Sequence, residues 1–203
     1  NDSKYNLRDL MLDTGHARAY TIGIRKVFQK TPTSKLYEFS WERTLMQQTS
    51  SRLLRNAASW YQHSRIRHGY TNNGEVLGAG IGPGSNSQYF EFAMIDKLDK
   101  YSIAFEVIDQ DNDFFMYAFE DALDFRRYWK DFNVHFSVQK KIKNYWGRIN
   151  VVYSRSLNYQ WELDDYTDPY YHAGTDVNNL HVNFNLTYHF NSKKKYSLNK
   201  VYP

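Results

Sequence analysis

The sequence contains no cysteine, and it has only four prolines and ten glycines among its 203 residues. The missing cysteines exclude a disulfide framework and every metal site or nucleophile that depends on a thiolate. No apolar run approaches the roughly 18 residues that a membrane-spanning helix needs. The first residues, NDSKYNLRDL, lack the features of a secretory signal peptide. We therefore expect that such a segment has been removed or that the chain is part of a longer one.

The chain is rich in aromatic residues but polar on average. Aromatic residues make up 18% of it, the mean hydropathy is −0.75 and the net charge is +4. This combination suits strands whose two faces meet different solvents. A lysine-rich stretch, NSKKKYSLNK, lies near the C-terminus without a nucleic-acid recognition motif. We interpret 191–203 as a solvated polar tail and predict no nucleic-acid partner.

Apolar residues recur at every second position along most of the chain, which is the period of a β-strand. The clearest example is 179–190, where Leu180, Val182 and Phe184 alternate with His181 and Asn183. The pattern predicts seven strands of roughly ten residues, the length of a tilted strand that crosses a bilayer. The predicted strands are 17–29, 35–46, 88–96, 100–108, 131–142, 145–156 and 179–190.

Short and long connections alternate strictly between these strands. The short ones are 30–34, 97–99 and 143–144, and the long ones are 47–87, 109–130 and 157–178. Outer-membrane barrels have short periplasmic turns and long outer loops. The sequence therefore predicts an all-β, antiparallel transmembrane β-barrel in the cell outer membrane, with its apolar face on lipid.

Seven strands do not make a closed bacterial barrel, because such barrels have an even strand count. An open sheet would also leave two bare edges in lipid, where unpaired backbone groups are prohibitively costly. We expect residues 1–190 to form the C-terminal portion of a larger barrel, with more strands before Asn1.

The stretch VLGAGIGPGSNSQ at 76–88 raises the question of a phosphate-binding loop. A dinucleotide fingerprint needs a strand before its glycines and a helix after them, whereas the segment that follows has the strand period. No Gly-Lys-Ser/Thr follows either. We predict that the glycines form tight, irregular backbone at the end of an outer loop.

The segment WYQHSRIRHGYTNNGEVLGAGIGPGSNSQ at 60–88 resembles the capsule assembly proteins of the Wzi family, in the form carried by Bacteroidetes. The segments 112–119, 155–163 and 176–190 resemble the same family. The resemblance implies an outer-membrane barrel of about eighteen strands that acts as a lectin for surface polysaccharide, with this chain as its C-terminal part.

The loop before the glycine run carries the candidate binding residues. Aromatic rings stack on sugars, while arginine and asparagine bind carboxylates and hydroxyls. The alternative is that these side chains only pack the loop against the barrel. The predicted polysaccharide-binding residues are Trp60, Tyr61, His63, Arg65, Arg67, Tyr70, Asn72 and Asn73.

Two further groups of residues suggest metal ions. Asp109, Asp111 and Asp113 resemble the start of a calcium loop, but the glycine and glutamate of that motif are missing, so a solvated acidic turn is the default interpretation. Three histidines lie on the polar side of strands, where hydrogen bonding is the simpler role; they are His135, His181 and His189. We predict no metal and no cofactor.

The function favoured by the sequence is non-enzymatic: the barrel binds surface or capsular polysaccharide through its outer loops and helps to assemble or attach it, with other outer-membrane proteins as possible partners. One alternative is a diffusion porin or specific channel. A second is an outer-membrane hydrolase that uses His63 and Ser64, although adjacent residues of an extended chain point to opposite faces.

Overall fold

A computed structural model describes residues 6–12, 18–32, 34–49, 60–62, 65–66, 68–119, 127–162 and 175–189. Seven long strands form one antiparallel sheet, so the predicted antiparallel β architecture is confirmed. The long strands are β1 (Tyr20–Gln29), β2 (Leu36–Leu45), β5 (Asn86–Asp96), β6 (Asp99–Asp109), β7 (Lys130–Ile142), β8 (Tyr145–Leu157) and β9 (Val177–Tyr188). Their order in the sheet is β1-β2-β5-β6-β7-β8-β9.

Each long strand pairs with the next long strand along the chain, so the sheet is an uninterrupted meander. Tight connections join β1 to β2, β5 to β6 and β7 to β8 at one end of the sheet, which we call the turn end. The long connections meet at the opposite end, the loop end. The described residues pair β1 and β9 with one neighbour each.

The strand register collects the apolar residues on one side of the sheet. In one row Ile103 lies opposite Phe136, Phe136 opposite Val151, and Val151 opposite Val182. Because directly opposed residues share a face, every strand contributes its alternating apolar set to the same side. This apolar face includes Ile22, Ile24, Phe39, Trp41, Phe90, Phe92, Ile103, Phe105, Phe132, Val134, Phe136, Val138, Ile149, Val151, Leu180, Val182, Phe184 and Leu186.

The apolar face is exposed, whereas the centre of the other face is covered. Phe184 is 64% exposed and Leu180 is 63% exposed. On the opposite face, Glu38 is 4% exposed and Ala93 is fully covered. This distribution is the reverse of a soluble β-sandwich, which buries its apolar faces. The polar face includes Arg25, Glu38, Glu91, Lys100, Glu106, His135, Gln139, Arg148, Asn179, His181, Asn183 and Asn185.

The remaining elements are short. Helix α1 spans Leu7–Leu12, and helix α2 spans Asn112–Ala118 just after β6. Strands β3 (Thr71–Asn72) and β4 (Glu75–Val76) form a two-stranded hairpin, and Tyr159–Trp161 form a 3-10 turn. Sequence periodicity predicted none of these elements. In the described part of the chain, no helix combines the length and the apolar character required to span a membrane.

The strand limits differ slightly from the predicted ones. Asn86 and Ser87 belong to β5, although the sequence assigned them to the loop 47–87. Lys130 begins β7 and Val177 begins β9, so these strands start earlier than the hydrophobic pattern does. The reason is that backbone pairing continues into polar residues, which periodicity does not detect. Phe190 and the tail 191–203 lie outside the described residues.

Candidate functional site

The loop end brings together three connections that are distant in sequence. The first two are anchored by a polar cluster in which Ser85, Asn112 and Asp113 are buried and Gln47 and Gln48 are half-buried. The amide of Gln47 accepts from Asn86 Nδ2 at 2.8 Å and from Asn112 Nδ2 at 3.1 Å. The backbone N–H of Gln48 donates to both carboxylate oxygens of Asp113, at 3.0 and 3.2 Å. The first and second long connections are therefore held together by hydrogen bonds across the end of the sheet.

The glycine run packs against this cluster, and its close contacts explain two of its glycines. A Cβ on Gly78 would lie 2.3 Å from the ring of Tyr61. Gly84 has a φ of +62°, and a Cβ there would lie 2.2 Å from Asp111 Oδ1. The run leads directly into β5 rather than into a helix. Its glycines thus allow the close approach of neighbouring residues, as tight irregular backbone requires.

The acidic segment is not the solvated turn that the sequence suggested. Asp111 caps helix α2, where its Oδ1 accepts from the N–H of Phe114 at 3.0 Å, and Asp113 is buried against Gln48. The prediction was wrong because Asp111 serves as a helix cap and is half-buried, while Asp113 serves as a loop anchor and is buried. Asp109 forms an ion pair with Lys130 at 2.9 Å. Within the described ranges, no cluster of three or more acidic or histidine side chains could hold a metal ion.

Burial raises the pKa of Asp111, and the hydrogen bond from Phe114 only partly offsets this rise. A carboxyl whose pKa rises on folding contributes stability at low pH that is lost as pH increases through the folded pKa. We expect Asp111→Asn to keep the helix cap and to abolish the loss of stability at higher pH, because the amide does not ionise. Its stability should equal or exceed that of the parent at pH 7, and the two should converge as pH falls. Asp111→Ala should cost about 1 kcal/mol because it removes the cap.

Hydrogen exchange of the α2 amides in the three proteins, compared at matched pH, measures this effect. The backbone of Asp111 has a φ of 33°, which asparagine tolerates better than alanine, so Asn is the matched replacement. A loss of protection in Asp111→Asn as large as in Asp111→Ala would show that the helix needs the ionised carboxylate.

The predicted binding residues fall into three groups. Tyr61 serves packing: its hydroxyl accepts from the N–H of Ala79 at 3.0 Å and lies 3.9 Å from Met46 Sδ. Tyr70 points outward and is 65% exposed. His63 and Arg67 lie outside the described residues, as does Ser64 of the hydrolase hypothesis. The others are half-buried or exposed; they are Trp60, Arg65, Asn72 and Asn73.

The hairpin β3–β4 presents the exposed part of this group. Tyr70 N–H donates to Tyr61 O at 3.0 Å, and Leu77 N–H donates to Tyr70 O at 2.8 Å. Asn73 has a φ of 51° and Gly74 a φ of 85°, the left-handed pair that a tight hairpin turn uses. The backbone of Tyr70 is therefore fixed while its ring reaches solvent, as a stacking surface for a ligand requires.

The sequence analysis missed an aromatic cluster at the loop end. Phe115 lies 4.4 Å from Tyr128 between ring centroids, and Phe114 lies 4.6 Å from Trp161. Trp129 contacts both Tyr159 and Trp161 at 5.1 Å. Phe115 is almost completely buried, whereas Tyr128 and Tyr159 keep exposed edges. The dense aromatic content of 112–129 and 159–161 could have indicated this cluster, but its contacts join three segments that share no period.

The polar face carries a chain of charged side chains near the turn end. Arg25 pairs with Glu38, and Lys100 Nζ lies 2.9 Å from Glu91 and 3.9 Å from Glu38. These four side chains come from four strands, β1, β2, β5 and β6, and face the same side. Mutual pairing allows Glu38 to be nearly buried on this face.

The histidines do not gather into one site. His135 Nε2 lies 3.3 Å from Glu106 Oε2, which also accepts from Asn133 Nδ2 at 3.1 Å. His181 lies two strands from His135 in the same row, opposite Val152. The ring of His189 lies 6.0 Å from that of Trp146 at the turn end. His135 is therefore engaged in hydrogen bonding, and His189 makes a ring contact.

No family model, no curated protein and no solved structure matches the chain.

Proposed function

We propose that the sheet is part of an outer-membrane β-barrel, with its apolar face on lipid and its polar face lining a water-filled interior. The observation that carries this proposal is the reversed burial of the two faces. Large side chains along every strand of the apolar face are exposed, while Glu38 and Ala93 on the polar face are covered. Exposed apolar patches beyond a few hundred Å² mark a surface that meets lipid or a partner.

Strand length and connection pattern support the same proposal. The long strands contain 10–13 residues, close to the 9–11 that cross a bilayer at a tilt. All long connections meet at one end, which we assign to the cell exterior. The edges of β1 and β9 would be costly in lipid, so we propose that further strands complete the barrel.

We propose that the loop end binds surface or capsular polysaccharide and helps to assemble or attach it at the cell surface. The Wzi-family resemblance of 60–88 falls on the hairpin that exposes Tyr70. The nearby cluster exposes part of Tyr128 and Tyr159, which adds aromatic surface from other loops. Rings held by a rigid support, with polar side chains between them, are suited to stacking on sugars.

A channel is the second candidate, because the polar face carries paired charges across four strands. Such a charged wall suits a wet interior through which small solutes pass. Conductance of the intact protein in a planar bilayer separates an open channel from a binding protein with a closed interior.

The polysaccharide proposal predicts that Tyr70→Ala weakens binding of capsular polysaccharide from the same cells roughly tenfold, through the loss of one stacking ring. Arg65→Gln should weaken it mainly at low ionic strength, since exposed charges are screened within about 8 Å at physiological salt. Binding of the purified intact protein to the immobilised polymer measures both effects at several salt concentrations.

Leu98→Ala is the matched control, because Leu98 is exposed in a turn at the opposite end of the sheet. Heat-modifiable gel migration of each variant first verifies folding. The result that would contradict the proposal is binding of the polymer by folded Tyr70→Ala and Arg65→Gln with the affinity of the parent and of Leu98→Ala. The hairpin would then have only a packing role, and the proposal would lose its support at this site.

A further inference from the structure

A second candidate site lies at the turn end of the polar face, far along the strands from the hairpin with Tyr70. A recess of about 310 Å³ opens there between β7, β8 and β9. This volume falls at the lower end of the range for small-molecule sites. It is lined by Gln139, Trp146, Gly147, Arg148, Asn185 and Thr187.

The strand register fixes the side chains of the recess in two adjacent rows. Gln139 lies opposite Arg148, and Arg148 lies opposite Asn185. In the next row toward the turn end, Trp146 lies opposite Thr187. Sites on paired strands hold their side chains more firmly than sites on loops do. The recess therefore presents a ring, a guanidinium, two amides and a hydroxyl from a fixed frame.

The charged end of Arg148 has an amide as its partner rather than a carboxylate. Its Nε and Nη2 both donate to Oε1 of Gln139, a neutral amide. Lys100, Lys130 and Arg155 each pair with a carboxylate, and the described residues provide none for Arg148. The Gln139 contact orients the guanidinium without neutralising it. With respect to the part of the chain that the structure describes, Arg148 thus offers a positive charge without a carboxylate partner on a wall of the recess.

The surroundings of the recess reinforce this charge. Lys141, at the end of β7, lies opposite Trp146 on the same face, and Lys143 lies in the turn that joins β7 to β8. The carboxylate of Asp99 is engaged at this end of β7, where its Oδ1 accepts from the backbone N–H of Lys141 at 2.9 Å. A cation would be repelled from such a site, whereas an anion would be attracted. The ligand should carry a negative charge.

The ring of Trp146 narrows the choice among anions. It lines the recess and meets His189 edge-on, at 6.0 Å between ring centroids and 70° between planes. Inorganic phosphate gains nothing from an indole face, but a sugar ring stacks on it. The amides of Asn185 and Gln139 and the hydroxyl of Thr187 suit sugar hydroxyls, because each of these groups can donate or accept hydrogen bonds.

We propose that this recess binds a carboxylated sugar ring, that is, a hexuronate unit. The carboxylate pairs with Arg148, the ring stacks on Trp146, and the neighbouring polar side chains bind its hydroxyls. Charge-assisted bonds to guanidinium are about twice as strong as neutral ones, so Arg148 provides most of the selectivity. The inference rests on the proposed function for one point only, namely that water and saccharide reach the polar face.

The test is titration of the intact, detergent-solubilised protein with a hexuronate trisaccharide, followed by calorimetry and tryptophan fluorescence. Arg148→Gln should weaken binding about tenfold or more, the usual effect of losing a charged hydrogen bond. It should also reduce the salt dependence of binding, leaving the smaller part that the neighbouring lysines contribute. Trp146→Leu should weaken binding by a similar factor. A neutral trisaccharide should bind more weakly and should not respond to Arg148→Gln.

Asn185→Ala and Asn179→Ala form a matched pair, because both residues lie on the polar face of β9 and only Asn185 lines the recess. The first should weaken binding severalfold and the second should leave it unchanged. If Arg148→Gln does not fold, Arg148→Lys replaces it. That variant should retain the salt dependence and lose affinity, because lysine cannot reproduce the planar fork.

The outcomes separate this site from the proposed function. Hexuronate binding that responds to Tyr70→Ala but not to Arg148→Gln or Trp146→Leu would overturn the recess and leave the loop-end proposal intact. Absence of hexuronate binding in the parent would overturn the recess regardless of polymer binding. Inorganic phosphate that binds as tightly as hexuronate, with no loss in Trp146→Leu, would show a general anion site and overturn the sugar assignment. Binding that responds to the recess variants alone supports the inference.

Discussion

Replacing Val182 by arginine is expected to destabilise the intact protein in lipid vesicles by about 2–4 kcal/mol, the cost measured for arginine on the lipid face of outer-membrane barrels near the bilayer midplane. Val182 lies in the middle of β9 (Val177–Tyr188), and it is 59% exposed on the apolar face. Its neighbour Asn183 occupies the same depth to within one residue but faces the opposite side. Asn183→Arg should cost little, because its side chain extends into water and toward other polar residues.

The measurement is denaturant unfolding of both variants from lipid vesicles, with the loss of intrinsic tryptophan fluorescence as the signal. Val182→Leu is a further control, since it changes volume without adding charge. Equal costs for Val182→Arg and Asn183→Arg would contradict the assignment of lipid to the apolar face. A larger cost for Asn183→Arg would indicate that the polar face is tightly packed and that the apolar face meets water or another protein.

The strands could be predicted because each one repeats its apolar residues with period two over several consecutive turns of the pleat. In β9 this repeat runs without interruption from Leu180 to Tyr188. Pairing with the neighbouring strand then aligns apolar with apolar residues, so local pattern and long-range register agree. The short connections at 97–98 and 143–144 were also predictable. Two strands that are joined by a two-residue turn must pair with each other as an antiparallel hairpin.

The loop end could not be predicted in the same way. The contact between Gln48 and Asp113 joins residues that are 65 positions apart, and no periodic signal connects them. Helix α2 has only seven residues, and its position is set by the cap at Asp111 and by the burial of Phe115 against Tyr128. Isolated helices of this length are unstable in water, so tertiary packing determines α2 more than propensity does.

Tyr61 shows how a sequence alone can confuse packing with binding. Its position between Trp60 and the arginines of the loop made it a candidate for sugar stacking. In the structure its ring lies against Gly78, and its hydroxyl accepts from the N–H of Ala79 at 3.0 Å. The same aromatic chemistry serves both roles, and only the location of the neighbouring backbone distinguishes Tyr61 from the exposed Tyr70.

Gly78→Ala is expected to destabilise the loop 60–85 by roughly 3 kcal/mol, at the upper end of the cost of overpacking. The new methyl group would lie 2.3 Å from the Tyr61 ring, which hydrogen bonds and packing hold in place. Gly80→Ala provides a matched control two residues away, because a Cβ there meets nothing within 4 Å. It should change stability by less than about 0.5 kcal/mol.

Limited proteolysis and hydrogen exchange of the loop amides measure both variants, and a double-mutant cycle identifies the contact responsible. Tyr61→Ala removes the ring, so the second substitution Gly78→Ala should then cost almost nothing, and the coupling between the two sites should approach the full cost of Gly78→Ala alone. A cost for Gly78→Ala that persists in the Tyr61→Ala background would show that the glycine is required by backbone conformation instead. Loss of polymer binding in Gly78→Ala together with loss of loop protection would show that the hairpin binds saccharide only when Tyr61 holds it in place.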